Sequence, residues 1–298
     1  MIGIVGDVMI DQLAMIRDYP EEGSETIIRS YMPRLGGSAC NTAMVLGDLT
    51  GRSLLFSQIG DDENGRLAMD ALKRKGVATD YVSVNTGMET GFIIIMVSPD
   101  GSRTMFSRRP RYPLPDDEAA ERRFVSLIDF LHLSGYVFLE ERERAICERI
   151  IDKAIQKGLP ISLDPGISPV KQVPQAVLSA IGRASYFLPN EKELLILTQT
   201  QNVLSGIDTL SPRKAVVVVK CGENGCLIAD HKTSLRVSSA KAVATNNSTG
   251  AGDAFNAGFI YGLSRQWSHE ACGRLGNHMG LQVVSSPKGI AETTFCLP

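Results

Sequence analysis

The chain has 298 residues, 43% of them hydrophobic, with 31 basic and 33 acidic side chains and a formal net charge of −2. That size and apolar content bury a sizeable core and suit one large α/β domain or two small ones, while the near-cancelling charge excludes the broad field that recruits nucleic acid or an anionic membrane. No run of 18 apolar residues and no basic leader with a small-residue cleavage site is present, and Cys40, Cys147, Cys221, Cys226, Cys272 and Cys296 form no CxxC pair, which together predict a cytoplasmic protein with reduced, mostly core thiols.

In chain order, "IGIVGDVMI" is an apolar run with β-branched residues, ended by Gly6 and Asp7, and reads as a buried strand. "ETIIRSYM" (25–32) follows as a strand without a helix before it. Helix "SACNTAMVLGDL", strand "LLFSQIG" and helix "NGRLAMDALKRKG" come next. A second helix-free stretch, "TGFIIIMVSPDGSRTMFSRR" (90–109), holds two strands joined at Asp100-Gly101, a pair that supports the positive φ of a hairpin turn. Strand "DFLHLSG", helix "ERERAICERIIDKAIQKG", strand "PISLDPG", helix "PQAVLSAIGRA" and strands "ASYFLP" and "AVVVVKCG" complete the series before a late core helix, "AFNAGFIYGL".

Strand alternating with helix predicts an α/β fold, a mostly parallel sheet with helices on both faces. The two irregular segments, about 12–34 and 88–112, predict a small separate sheet, either a lid beside the crevice or an edge hairpin without a role. No linker, repeat or low-complexity tract is visible, so residues 1–298 read as one domain with that lid.

The stretch "ATNNSTGAGDAFNAGFIYG" (244–262) concentrates the chemistry. Gly250, Ala251 and Gly252 precede a helix whose free amides and dipole make an anion site suited to phosphate. Asp253 would repel that anion if binding were the whole purpose. Its position suits a carboxylate that takes a proton from a hydroxyl attacking phosphorus, and equally an acid serving the helix dipole. The pattern lacks the Gly-Lys-Ser/Thr ending of a P-loop and comes too late for a dinucleotide fingerprint.

These residues resemble the ribokinase-like (PfkB) carbohydrate kinases. "STGAGDAF" (248–255) is similar to their C-terminal signature and "RLGGSACNTAMVLGDL" (34–49) to their N-terminal one. "GDVMIDQ", "GDDENG" (60–65), "PNEKEL" (189–194) and "KCGENGC" (220–226) follow the family's order along nearly the whole chain.

The resemblance implies an ATP-dependent sugar kinase of Rossmann-type fold. Asp253 is then the general base, and Gly250, Ala251 and Gly252 form the anion site. Asp11, Gly36, Gly37 and Asn41 bind the sugar. Thr249, Asn190, Lys220, Gly222 and Gly225 bind ATP, with the Lys220 turn lining the adenine and ribose pocket. Glu193 meets Mg2+ through water, as suits a cation that dehydrates reluctantly, and Glu191 is a weaker candidate. Relatives often pair through their lid sheets, which the apolar "FIIIMV" suits.

Plainer readings stand beside these. Asp11 also reads as a turn residue, Ser38 as the cap of the helix after "GG", "NEKE" as a capping arrangement, and "KCGENGC" as a hairpin turn. Cys221 and Cys226 read as wall residues, since no cluster completes a zinc site, and His132, His231, His269 and His278 fit no recognised spacing.

Asn247 stands where the family usually has Asp, which weakens monovalent-cation binding. Arg103, Arg108, Arg109 and Arg111 either grip a carboxylate or phosphate on the sugar or guard a solvated lid edge. A nucleoside kinase on the same scaffold would want an aromatic shelf, for which Phe92, Met96, Met105, Phe106 and Tyr112 are candidates or simply lid core. A catalytically silent sugar or nucleotide sensor would need no base.

Overall fold

The protein is described by a computed structural model in all residues except 110–113, 211–214, 231–232, 241–248 and 287. Four consecutive buried residues form β1 (Ile2–Val5). Across Gly6, Asp7 and Val8 the chain then leaves that sheet, and β2 (Met9–Ile16) and β3 (Ile28–Gly36) belong to another. α1 (Ser38–Thr50) returns to the first sheet, followed by β4 (Ser53–Gly60), α2 (Glu63–Arg74) and β5 (Val77–Asn85). β6 (Phe92–Val97) and β7 (Arg103–Arg108) are the paired strands of the small sheet.

The regular alternation resumes with α3 (Glu118–Leu127), β8 (Phe130–Ser134), α4 (Glu141–Gln156), β9 (Ile161–Asp164), α5 (Ile167–Gln172), α6 (Pro174–Ile181) and β10 (Tyr186–Phe187). α7 (Glu191–Thr198), α8 (Val203–Leu210), β11 (Val216–Lys220), β12 (Cys226–Ala229), β13 (Ser234–Val237), α9 (Ala251–Ser264) and α10 (His269–Val284) complete the chain.

The large sheet has the order β13-β12-β11-β10-β9-β8-β1-β4-β5. It is parallel from β11 to β5, and β12 and β13 add antiparallel at one edge. Helices cover both faces, because successive strand residues point opposite ways. Leu54 and Phe56 of β4 pack with Phe124 of α3 and Ile146 and Ile150 of α4. Leu55, between them, packs with Met44 of α1, Ile260 of α9 and Met279 of α10. Helix α9 is buried without interruption from Ala254 to Gly262, as expected of a helix apolar nearly all round.

The small sheet has the order β3-β2-β6-β7, with β2 parallel to β6 and the other pairs antiparallel. The run "IGIVGDVMI" is thus two strands of different sheets. A side chain at Gly6 would press against Ala39 and Ser134 at 2.6–2.7 Å, so the chain turns there. Apolarity does not reveal the break, because Ile4 and Met9 are both buried.

The "SPDGSR" turn is closed by Gly101 N donating to Ser98 O at 2.9 Å. The strand "FIIIMV" lies inside the small sheet, so its edges are paired and only a face is available to a partner. All six cysteines are free, and only Cys296 is exposed. Among the described residues no helix is long and apolar enough to cross a membrane.

Candidate active site

The N-termini of α1 and α9 meet above the carboxyl ends of the central strands, where open α/β sheets hold their ligands. On α1, Ser38, Asn41 and Thr42 share one side by helical spacing. Ser38 Oγ and Asn41 Nδ2 donate to the two carboxylate oxygens of Asp253, each at 2.8 Å. Thr42 Oγ1 donates to the Asp253 carbonyl at 3.3 Å.

Ser38 therefore does not cap its helix. Gly37 is the N-cap residue and gives no side-chain cap bond. The hydroxyl that the sequence offered as a cap is spent on Asp253, and neither Ser38 nor Thr42 carries a signal that would have marked it.

Burial pushes Asp253 up to about 7, the charge of Asp164 adds to this, and Asn41, Ser38 and Lys220 pull the other way. Three residues before it, Gly250 takes the left-handed conformation, φ 84°, as the N-cap residue of α9, which favours glycine there. Ala251 and Gly252 then begin the helix with amides that need no partner inside it.

Asp11 lies on β2, directly opposite Arg34 of β3. It is 6% exposed, and its Oδ1 has no hydrogen-bond partner. Burial lifts its carboxyl to about 7, with Asp7 adding to the rise and Arg34 opposing it. Gly36 is required by close approach, since a Cβ there would sit 2.4 Å from the Asp11 carboxylate. Asp11, Leu13, Arg34, Asn41 and Thr249 line a space of about 20 Å3, far smaller than a sugar ring.

On the other side of Asp253, Lys220, Gly222, Gly225, Gly252, Phe255 and Asn277 are among the walls of a cavity of about 330 Å3. Gly222 and Gly225 belong to the turn that joins β11 to β12, so the hairpin reading of "KCGENGC" is also true. Asn190 and Glu193 form a reciprocal capping box at the start of α7, with both bonds at 2.9 Å. Glu193 is buried, and burial raises its carboxyl, with the charge of Asp164 second. Asn190 bridges to Lys220, which ties this box to the end of β11. Glu191 is exposed. No group of three metal-ligating side chains exists among the described residues.

Sequence reasoning passed over Asp164 and Asn256, which bond to Lys220 Nζ at 2.6 and 3.2 Å. Asp164 sits in "SLDPG", which reads only as a strand end, and Asn256 in a helix that reads only as core. Asp7 and Arg34 were also missed.

Two of the lid arginines turn inward. Arg103 donates to Thr249 Oγ1 at 2.6 Å, and Arg109 reaches Asp7 at 3.3 Å with its guanidinium 4.2 Å from the Tyr136 ring centre. Arg108 instead pairs with exposed Glu89. Arg111, Tyr112, His231 and Asn247 lie outside the described residues.

Strand register also sorts the aromatic shelf, because directly opposite residues share a face. Met105 falls on the Asp11 face, through Ile95 and Leu13. Phe92, Met96 and Phe106 fall on the other. His132 is fully buried in β8 beside Ser162, and burial lowers it to about 4.

Residues 1–294 match the family model of the pfkB family carbohydrate kinases. A protein named "Uncharacterized sugar kinase" from Archaeoglobus fulgidus is 29% identical over 77% of this chain and 90% of its own length. A fructokinase from Vibrio alginolyticus is 26% identical over 89% of this chain and 84% of its own. The crystal structure of adenosine kinase from Sinorhizobium meliloti superposes with a TM-score of 0.85 at 21% identity, covering 96% of this chain and 94% of that one.

Proposed function

The chain belongs to the pfkB family of carbohydrate kinases, and from that premise we propose that it transfers the terminal phosphoryl group of ATP to a hydroxyl of a sugar or sugar acid, with Asp253 as general base. The observation that carries this reading is the position of Asp253. Its carboxylate is held by Ser38 and Asn41 on the acceptor side and stands at the end of the amide cradle on the donor side.

The residues fit both ligands. The unpartnered buried Oδ1 of Asp11 asks for a donor such as a sugar hydroxyl. The glycine-lined cavity beside the α9 N-terminus has the size and walls of a nucleotide site. For magnesium, Glu193 has one oxygen engaged in its capping box, so it suits a contact through water.

When bound, ATP with its magnesium supplies the phosphoryl group and offsets its charge. Asp11 and Gly37 hold the acceptor. Asn41 contributes its carbonyl, because its amide is committed to Asp253. Asp253 takes the hydroxyl proton, and the amides of Ala251, Gly252 and Asp253 face charge growing on the phosphoryl oxygens. The small sheet, which carries Asp11 beside a space of about 20 Å3, then acts as a lid that moves to admit the acceptor, and its return excludes water.

Two sources of support separate a sugar from a nucleoside. The named sugar-kinase relatives favour the first, and Phe92, Met96 and Phe106 point away from Asp11, which leaves a base little to stack on. An ATP-consumption screen over sugars, keto-sugar acids and nucleosides tests the proposal. Turnover with a sugar or sugar acid is expected. Turnover with nucleosides alone would move the enzyme to the nucleoside kinases, and binding without turnover would make it a sensor.

A further inference from the structure

A cavity of about 620 Å3 lies at the opposite end of the large sheet from Asp253. Phe130 and Tyr186 in its wall are the first residues of β8 and β10, parallel strands whose other ends face the active site. Thr50 and Arg52 reach it from the C-terminal end of α1, and Leu263 and Arg265 from that of α9.

The floor is aromatic. The Phe130 and Tyr186 rings stack with centres 6.3 Å apart, and the His269 ring meets Tyr186 at 87° and 5.9 Å. Among the described residues the Tyr186 hydroxyl has no hydrogen-bond partner, and burial raises its pKa, so it stays a donor. The rim is basic. Arg52 and Arg265 are exposed and pair with no carboxylate among the described residues. Each is fixed in place by its helix end: Thr50 Oγ1 accepts from Arg52 N at 3.2 Å and donates to Leu46 O at 2.6 Å, and Trp267 N closes α9 onto Gly262 O at 3.0 Å across left-handed Gln266. A cation past a helix C-terminus also answers the helix dipole. That role asks for neither a ring floor nor an open phenol.

We propose that this cavity is an effector site for a small organic anion with a flat aromatic ring. Arg52 and Arg265 hold its phosphate or carboxylate, as planar guanidinium groups do, and the ring lies against Tyr186 and Leu263 in a space of ordinary ligand size. The helices say what such a ligand acts on. α1 and α9 pack side by side, with Ala43 and Met44 in one core cluster with Ala257 and Ile260. Each runs from this cavity to the active site, about 20 Å at 1.5 Å per residue. At their far ends Ser38 and Asn41 of α1 hold the carboxylate of Asp253 on α9, each at 2.8 Å. Drawing the two C-terminal ends onto one anion shifts one rigid helix against the other, and bonds already that short can only lengthen or bend. The ligand therefore lowers kcat and competes with neither substrate. Only this turnover effect rests on the kinase reading.

The test uses phenyl phosphate as probe, with inorganic phosphate and phenol as its two halves, on protein saturated with magnesium and a non-hydrolysable ATP analogue. In calorimetry phenyl phosphate should bind at least about 10-fold more tightly than either half, and Arg52→Ala/Arg265→Ala should weaken it by about 10- to 100-fold, as for lost charged hydrogen bonds. Both arginines are exposed, so the variant should fold and keep the kcat of the wild type in the absence of probe. In steady-state assays saturating probe should lower the kcat of the wild type by about 5-fold, with the variant unaffected.

Probe binding that the analogue displaces, or that survives loss of both arginines, would overturn the site, as would no binding at all. Binding without any change in kcat would overturn its effector role. Absence of all ATP turnover in the wild type, with arginine-dependent binding kept, would instead count against the kinase reading and leave the site standing.

Discussion

The two sides of Asp253 are built on different plans. The proposed donor side is rich in backbone, with Gly222 and Gly225 in a turn and Ala251 and Gly252 at a helix start, and the side chains of Lys220, Phe255 and Asn277 complete the walls of a cavity of about 330 Å3. The acceptor side is made of side chains, with Asp11, Arg34 and Asn41 brought from β2, β3 and α1 around a space of about 20 Å3. A backbone cradle recognises what all nucleotide donors share. A cage of side chains recognises one hydroxyl pattern, and each of its members can be exchanged without disturbing the fold that carries it.

The largest effect should come from the residue that both sides share. Asp253→Asn should lower kcat by about 10² to 10⁴ with the KM for both substrates largely kept, the usual size for loss of a general base, measured by steady-state ATP consumption. An unchanged kcat would remove Asp253 from the chemistry.

Next, Asp11→Ala should raise the KM of the acceptor by about 10- to 100-fold, as for loss of a buried charged hydrogen bond, and leave the KM of ATP alone. Gly252→Val should do the reverse on a smaller scale, about 10-fold in the KM of ATP. Its Cβ has room, since the nearest atom is 3.6 Å away, and only the branches enter the cavity. If either variant shifted both KM values together, the division of labour between the two sides would fail.

The pH profile sharpens the same contrast. With Asp253 raised to about 7, the base is active above that pH and protonated below it, so kcat/KM should fall as pH drops through 7. Asn41→Ala removes a donor that favours the carboxylate, so the limb should move to higher pH. A limb that stayed in place would mean that another group sets it.

The smallest effect on turnover is expected from the outward face of the small sheet. Tyr31 and Phe106 lie on the face opposite to that of Asp11, 56% and 52% exposed. If that face pairs two copies of the chain, Tyr31→Glu/Phe106→Glu should give monomers in sedimentation, with kcat within about 3-fold of wild type. A mass unchanged by the substitutions would place any self-association elsewhere.

Strands β1, β4, β8 and β9 of the large sheet were legible because they are buried on both faces and written as short apolar runs between helical patterns, whereas the partly exposed edge strands β5 and β13 were not read. The β1–β2 break was not, since a strand leaving one core for another stays apolar throughout. On the donor side, glycine marks the site wherever backbone must come close or turn left-handed, as at Gly250. On the acceptor side the signal fades: Arg34 is opposite Asp11 only through strand register. Asp164 gives no hint in "SLDPG" that it meets Lys220 56 residues later. The arginines of the hairpin illustrate the same limit, since two turn inward and one outward from adjacent sequence.

Only Gly6, Asp7 and Val8 separate the central strand β1 from β2, the strand that bears Asp11. If the small sheet swings as proposed, an alcohol gripped by Asp11 would be fastened to the moving part, while Asp253 belongs to the part that stays. The guest itself would then serve as the latch: fitting it between the two aspartates draws the flap down, and a molecule lacking the matching hydroxyl leaves the door ajar with the phosphate donor unspent.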